Sequence, residues 1–319
     1  HTASPSVRNQ PPPAAGIHRA PLPTRPGVTD GVAGVLDNEQ RQHFEQHGYV
    51  VLGGFVPDDL LDDLRTRIDE MVVGYANGGL PDGAASVFST TEQTHAQDDW
   101  FLTSADVIRP FFEDGAFAPD GDGVSHQVVP MDQALNKLGH AMHDLDPVFD
   151  RFSRSPSMAG LAADLGFVDP LLLQSMVIFK PPRIGGEVIC HCDHSFLWTE
   201  PQTVVGFWFA LDDATINNGC MWAIPGGQTG GARTRFRREG AGTTTDVLDP
   251  TPYDMDALVP LEVEAGTCIA FHGCLPHWSG PNTSDQPRLA YTLHLIDGTA
   301  HYSADNWLQR SPDLPLRGF

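Results

Sequence analysis

No run among the 319 residues approaches the roughly 20 consecutive apolar positions that a membrane-spanning helix requires, and no charged-then-apolar leader is visible. Positive charge is scarce as well: 19 Lys and Arg stand against 41 Asp and Glu, a formal net charge of -22. Such a surface repels phosphate backbones and anionic lipid, so nucleic-acid and membrane partners are excluded and a small-molecule substrate is expected. Cysteine is sparse and odd in number. Cys190, Cys192, Cys220, Cys268 and Cys274 leave one unpaired in any disulfide scheme, which excludes a small disulfide-stapled scaffold and makes a reducing, cytoplasmic setting the expectation.

What the chain does contain falls into three textures. Residues 1–35 are rich in Pro, Ala, Gly and Arg without helix or strand period, and read as a flexible arm. A single domain is expected over 36–319, helical over 36–165 and β-rich over 171–297. Asp37 and Gln40 have the spacing of a capping box and open a helix through Gln46; Gly48 breaks it, and Tyr49–Leu52 reads as a buried strand. Pro57 starts a second helix with Leu60, Leu61, Leu64, Ile68, Met71 and Val72 on one face. Residues 78–129 read as loops, and 131–165 as an imperfect amphipathic helical region. From Leu171 onward, short apolar runs alternate with turns, the texture of an all-β barrel or jelly roll: 172–179, 203–211, 220–224, 267–272 and 288–296.

The chemical signal is His191-Cys192-Asp193. On an extended strand, residues two apart share a side, so His191 and Asp193 can grip one ion while Cys190 and Cys192 face away. The same alternation argues against a zinc site drawn from all four residues, and alternate strand positions do not offer disulfide geometry to the two cysteines. A lone His-x-Asp is weak and needs a third ligand, for which His272 and His277 qualify. Two histidines and one carboxylate on one face leave three positions open, the arrangement of non-haem Fe(II) oxygenases. If those positions hold a dicarboxylate co-substrate, its far carboxylate needs a fixed cation, and Arg offers a bidentate fork. Arg288 lies eleven residues after His277 and sixteen after His272. The shorter interval suits a turn into an adjoining strand and selects His277; His272 and His294 read as structural.

Further stretches carry a resemblance. Asn136-Lys137-Leu138-Gly139-His140, Gln174 to Lys180, Gly185-Gly186-Glu187, His191 through Pro201, Asn218 to Trp222, Ile224-Pro225-Gly226, His272 to Ser279, Arg288 to Leu295 and Asn306 to Gln309 together are similar to the phytanoyl-CoA dioxygenase family, over about Leu36 to Leu314. The resemblance implies a mainly β double-stranded β-helix core, jelly-roll and cupin-like, with flanking α-helices. It implies Fe(II) at His191, Asp193 and His277. It places 2-oxoglutarate on Arg288 and Ser279, with Lys137, Met176 and Trp208 lining the same pocket. By their residue types alone those last three read as a solvated helix lysine, a core methionine and a core strand tryptophan.

The activity implied is hydroxylation of a C–H bond with O2, with decarboxylation of 2-oxoglutarate to succinate and CO2, supported by ascorbate. The alternatives are an acyl-CoA 2-hydroxylase and a 2-oxoglutarate-binding metal sensor without turnover. No basic cluster suited to CoA phosphates stands out. The chain departs from the family at Gly227-Gln228, where many members carry Ser-His; His194 reads as a surface residue, and Lys180 either as facing the substrate or as a surface lysine ending a strand.

Overall fold

The computed structural model describes residues 34–81, 99–119 and 125–319. The arm expected over 1–35 therefore lies outside the described residues, apart from its last two positions. The amides of Val35, its last residue, and of Leu36 beyond it donate to the Asp164 carboxylate at 2.5 and 2.8 Å.

Helix α1 (Asn38–His47) begins with the expected capping box: the Gln40 amide donates to Asp37, and the Asp37 amide donates to the Gln40 side chain. Gly48, at φ 82°, ends it in a conformation that a side chain resists. Strand β1 (Tyr49–Leu52) follows at a sheet edge, buried on one face through Val50 and Leu52 and open on the other at Val51. Helix α2 (Asp58–Gly74) buries Leu61, Leu64, Ile68 and Val72, as its periodicity requires.

Two segments depart from expectation. The loop-like region 78–129 contains strand β2 (Ile108–Phe112), although residues 82–98 lie outside the described set. The supposed helix over 131–165 is interrupted by strand β3 (Leu135–His140). The apolar residues Leu135 and Leu138 are three apart, which imitates helical spacing, but neighbours on both sides satisfy a strand there. Lys137 pairs with Phe111 of β2 on one edge and with Ile178 of the next strand on the other. Sheet contact outweighs local periodicity. Single helical turns flank the strand at Met131–Ala134 and Met142–Leu145, and helices α3 (Pro147–Ser153), capped by the Asp146 side chain, and α4 (Pro156–Asp164) follow.

The β-rich half runs through β4 (Pro170–Ile178), β5 (Val188–His191), β6 (Val205–Ala210), β7 (Met221–Ala223), β8 (Thr234–Glu239), β9 (Gly242–Val247), β10 (Val259–Leu261), β11 (Cys268–His272), β12 (His277–Ser279) and β13 (Ala290–Asp297). The hairpin β8–β9 is absent from the sequence reading because its polar strands carry little apolar alternation. Seven strands form one antiparallel sheet in the order β1-β11-β6-β13-β4-β3-β2, and four form a second in the order β10-β7-β12-β5. The fold is the mainly β double-stranded β-helix.

Strand alternation divides the large sheet into two faces. Val177, Phe207, Phe209, Tyr291 and Leu293 point outward into a core shared with Leu64, Ile68, Phe149 and Phe152 of the helices. Met176, Ile178, Trp208, Thr292 and His294 alternate with them and line a cavity of about 240 Å³ that the small sheet closes with Val188, His191, Met221, His277 and Ser279. Helices thus buttress one face of the large sheet and leave the other for chemistry. Among the described residues no helix is long and apolar enough to cross a membrane.

Candidate active site

The small sheet brings the two histidines together by register. His277 on β12 stands directly opposite His191 on β5, with ring centroids 4.3 Å apart. Asp193 follows where the chain leaves β5 for a short 3-10 turn, with Cys192 still extended at φ -119° and ψ 135°. Alternation therefore carries across the strand end. Cys192 turns the other way, donating to the Cys274 carbonyl at 3.1 Å, and all five cysteines are free thiols.

Three ligand atoms converge. Nε2 of His191 lies 3.4 Å and Nε2 of His277 lies 3.6 Å from Oδ1 of Asp193, and all three donors fall within 4.8 Å of one another. The tautomers are set from behind: His191 Nδ1–H donates to the Ile189 carbonyl at 2.7 Å, and His277 Nδ1–H to the Leu275 carbonyl at 3.0 Å. Both Nε2 lone pairs consequently face the gap, as metal ligation demands. Burial, with His191 beside it, holds His277 down to about 4, so this imidazole is neutral near pH 7. Burial opposes ionisation of Asp193, yet His294 and His277 keep its carboxyl well below the usual range. Its second oxygen, Oδ2, accepts from His294 Nε2 at 2.8 Å. His294, read from the sequence as structural rather than as a ligand, orients the carboxylate so that Oδ1 faces the histidines. His272 stays outside the cluster and accepts the Cys274 amide at 3.1 Å.

Along the same cavity lies Arg288, two residues before β13 rather than within it. It is 3 % exposed and has no carboxylate partner among the described residues, and its Nε makes no hydrogen bond. The guanidinium sits 5.5 Å from the Trp208 ring centre, and burial lowers its pKa to about 10. A buried cation without a direct ion pair is costly, and Asp212 and Glu113 offset that only in part, so an anion in the cavity is favoured there. Trp208 and Met176 flank Thr292 on either side of β13, which places both beside the space between Arg288 and the triad. Ser279 also lines the cavity and donates to the Gly219 carbonyl at 2.9 Å, leaving its oxygen lone pairs as acceptors. Lys137 lies over the rings of Phe101 and Phe111 at 5.2 and 5.0 Å, and burial pulls its pKa to about 7. It belongs to a sheet strand, not to a solvated helix.

Of the three side chains read as surface or substrate contacts, Lys180 lines the cavity, whereas His194 and Gln228 do not. Lys180 is 2 % exposed, with Nζ donating to the Ser279 carbonyl at 3.3 Å and more closely to that of Gly280. It braces the strand end that carries Ser279. His194 is buried and stacked on Trp198 at 4.3 Å. Gln228 turns away from the cavity toward the end of α1, where its amide donates to the Glu45 carbonyl at 3.2 Å. Glu113, absent from the sequence reading, is buried at the cavity wall with Oε1 unpaired, and burial raises its pKa to about 7. Only the folding of β2 beside β3 brings it there.

The donor set suits Fe(II), with two imidazoles and one carboxylate leaving positions open on the cavity side. The orphaned Arg288 suits the far end of a dicarboxylate such as 2-oxoglutarate. Comparisons agree in kind. The family described as Phytanoyl-CoA dioxygenase (PhyH) matches residues 44–290. The phytanoyl-CoA dioxygenase domain-containing protein 1 of Bos taurus is 43% identical over 290 residues, covering 88% of this chain and 97% of its own. Among solved structures, EctD from S. alaskensis with bound Fe aligns with a TM-score of 0.58 at 16% identity, over 92% of this chain and 87% of that one. EvdO2 from Micromonospora carbonacea var. aurantiaca, complexed with 2-oxoglutarate, gives 0.54 at 20% identity, over 88% and 99%. These two likenesses establish the fold; the sequence relatives establish the family. The chain belongs to the phytanoyl-CoA dioxygenase family of 2-oxoglutarate-dependent dioxygenases.

Proposed function

We propose that this protein hydroxylates a C–H bond of a small molecule, with His191, Asp193 and His277 holding Fe(II) and Arg288 holding the far carboxylate of 2-oxoglutarate. The overall change balances as substrate C–H, O2 and 2-oxoglutarate giving substrate C–OH, succinate and CO2. The observation that carries the reading is the pairing of His191 against His277 around Asp193 in a cavity that also buries an unpaired arginine. Bound iron supplies the reduction of dioxygen that couples oxidation of the co-substrate to oxidation of the substrate.

The chain's own residues supply everything else. The carbonyls of Ile189 and Leu275 keep both ligand imidazoles in the metal-binding tautomer, and His294 fixes the carboxylate. Thr292 stands on β13 between Arg288 and His294, the residue that holds Asp193, and lines the span of cavity in which a five-carbon diacid would lie. Trp208, Met176 and Met221 wall that span off from water, which strengthens each charge contact inside it.

An acyl-CoA substrate receives less support. The densest basic stretch on the chain is Arg233, Arg235, Arg237 and Arg238 on the β8–β9 hairpin, and each is already engaged. Arg235 pairs with Asp305, Arg237 with Asp246 and Glu239, Arg238 with the Trp307 and Leu102 carbonyls, and Arg233 with the Thr251 carbonyl. The direct test is incubation with Fe(II), ascorbate and 2-oxoglutarate. Wild type releases succinate even without its true substrate, and Asp193→Ala abolishes the release; equal succinate from both would sink the reading. Binding of 2-oxoglutarate without any succinate would favour the metal-sensor alternative.

A further inference from the structure

The cavity extends past the metal triad, away from Arg288, and that end has a different character. Its walls are the rings of Phe101, Phe196, Phe236 and Trp307. Phe101 and Trp307 stack at 4.2 Å, and Phe196 meets Phe236 at 5.7 Å. Two polar groups interrupt this aromatic surface. Gln174 on β4 is 5 % exposed and lines the cavity, and its amide makes no hydrogen bond among the described residues. Its cross-strand partner on β13 is His294, which holds Asp193, so whatever the amide binds lies beside the metal position.

The second group is His140, fully buried at the end of β3. Ser104 spends its hydroxyl proton on the Phe101 carbonyl at 2.5 Å, so the 2.8 Å contact between Ser104 Oγ and His140 Nδ1 has the imidazole as donor. Nε2 is thereby fixed as a lone-pair acceptor, and it has no partner. A buried acceptor left unmade is expensive, as is a buried primary amide with neither its N–H nor its C=O engaged. Gln174 offers a donor and an acceptor between the aromatic walls, and His140 Nε2 adds an acceptor enclosed by the rings of Phe101, Phe111 and Trp307.

We propose, resting on the oxygenase reading, that Gln174 and His140 form the hydrogen-bonding head of the substrate half of the cavity, and that the substrate is an uncharged planar ring bearing adjacent N–H and C=O groups. A carboxamide reads such an edge with a paired donor and acceptor, and a flat ring fits between Phe101, Trp307, Phe196 and Phe236 by stacking. Among the described residues lining this end the one lysine is Lys137, which lies over the rings of Phe101 and Phe111 that also flank His140. The strongly charged groups, Arg288, Lys180 and Glu113, belong to the opposite end, where Arg288 and Lys180 pair through their backbones.

Thymine is a suitable probe because it is flat, neutral and carries adjacent N–H and C=O groups. 1,3-Dimethylthymine keeps the shape without the donors, and benzoate replaces the edge by a negative charge. Calorimetric binding to the intact chain supplied with 2-oxoglutarate under nitrogen requires no turnover. Thymine is expected to bind at least tenfold more tightly than either control, and Gln174→Leu to bring all three within about threefold. Gln174→Met serves as a second variant, with far-ultraviolet circular dichroism to verify folding. No binding of thymine, equal binding of its dimethyl form, preference for benzoate, or a preference untouched in a folded variant would each overturn the proposal. Succinate release by wild type reports separately on the oxygenase reading, so the two can fail independently.

Discussion

Replacing Arg288 by methionine sets stability against binding. The guanidinium is 3 % exposed, makes no direct ion pair among the described residues, and has its pKa pulled by burial from 12.5 to about 10 against the opposing pull of Asp212 and Glu113. That difference corresponds to a charging cost of about 3 kcal/mol as an upper bound. Methionine fills similar space without the charge, so Arg288→Met is expected to stabilise the protein without 2-oxoglutarate by about 1–3 kcal/mol. The same change removes a charge-assisted fork to the far carboxylate, a loss of about 3 kcal/mol that weakens 2-oxoglutarate binding about 100-fold. Two measurements separate the effects. Thermal unfolding without ligand should show a Tm raised by a few degrees, and calorimetry with 2-oxoglutarate should show the weakened Kd. A Kd within threefold of wild type would refute the assignment of Arg288 as the carboxylate anchor. A lowered Tm would refute the claim that its charge is only partly compensated.

Two further outcomes follow from neighbouring side chains. His294→Leu removes the donor that fixes Asp193 Oδ2, and is expected to weaken Fe(II) affinity 10- to 100-fold in a chelator competition while 2-oxoglutarate still binds; unchanged affinity would show that the carboxylate orients itself. His194 is neutral in the fold because burial, then Arg235, lowers its pKa to about 4 from 6.5. Below pH 6.5 the unfolded chain takes up a proton that the folded one refuses, so stability is lost as pH falls from 6.5 toward 4, by at most about 3 kcal/mol. In His194→Phe, which keeps the stack on Trp198, urea midpoints should decline less across that window; parallel curves for variant and wild type would count against this source of acid sensitivity.

The legible part of the site was the part written in strand alternation. His191 and Asp193 share a side because they are two apart, whereas the interval from His277 to Arg288 spans the connection 280–289 into a strand of the other sheet rather than a turn into an adjoining one. The capping box of α1 and the buried face of α2 were equally local and equally visible. What escaped depends on partners distant in the chain. Leu135 and Leu138 imitate a helix until β2 and β4 flank them, and Lys137 changes from a solvated residue to a cavity wall with that pairing. Glu113, Gln174 and His294 carry no spacing signal, because each acquires its role from a neighbour that only the sheet supplies. Lys180 and His194 admit surface readings because polar side chains usually lie there; carbonyl oxygens in one case and an indole face in the other make their burial tolerable.

The central claim is one Fe(II) held by His191, Asp193 and His277 with 2-oxoglutarate chelated beside it. Anaerobic titration of the metal-free chain with Fe(II) and then 2-oxoglutarate tests it most directly, through the visible charge-transfer absorption of an iron-bound 2-oxo acid. The band should saturate at one equivalent of iron, vanish in His277→Ala and survive in His272→Ala. A band of full intensity in His277→Ala, or its loss in His272→Ala alone, would contradict the assignment.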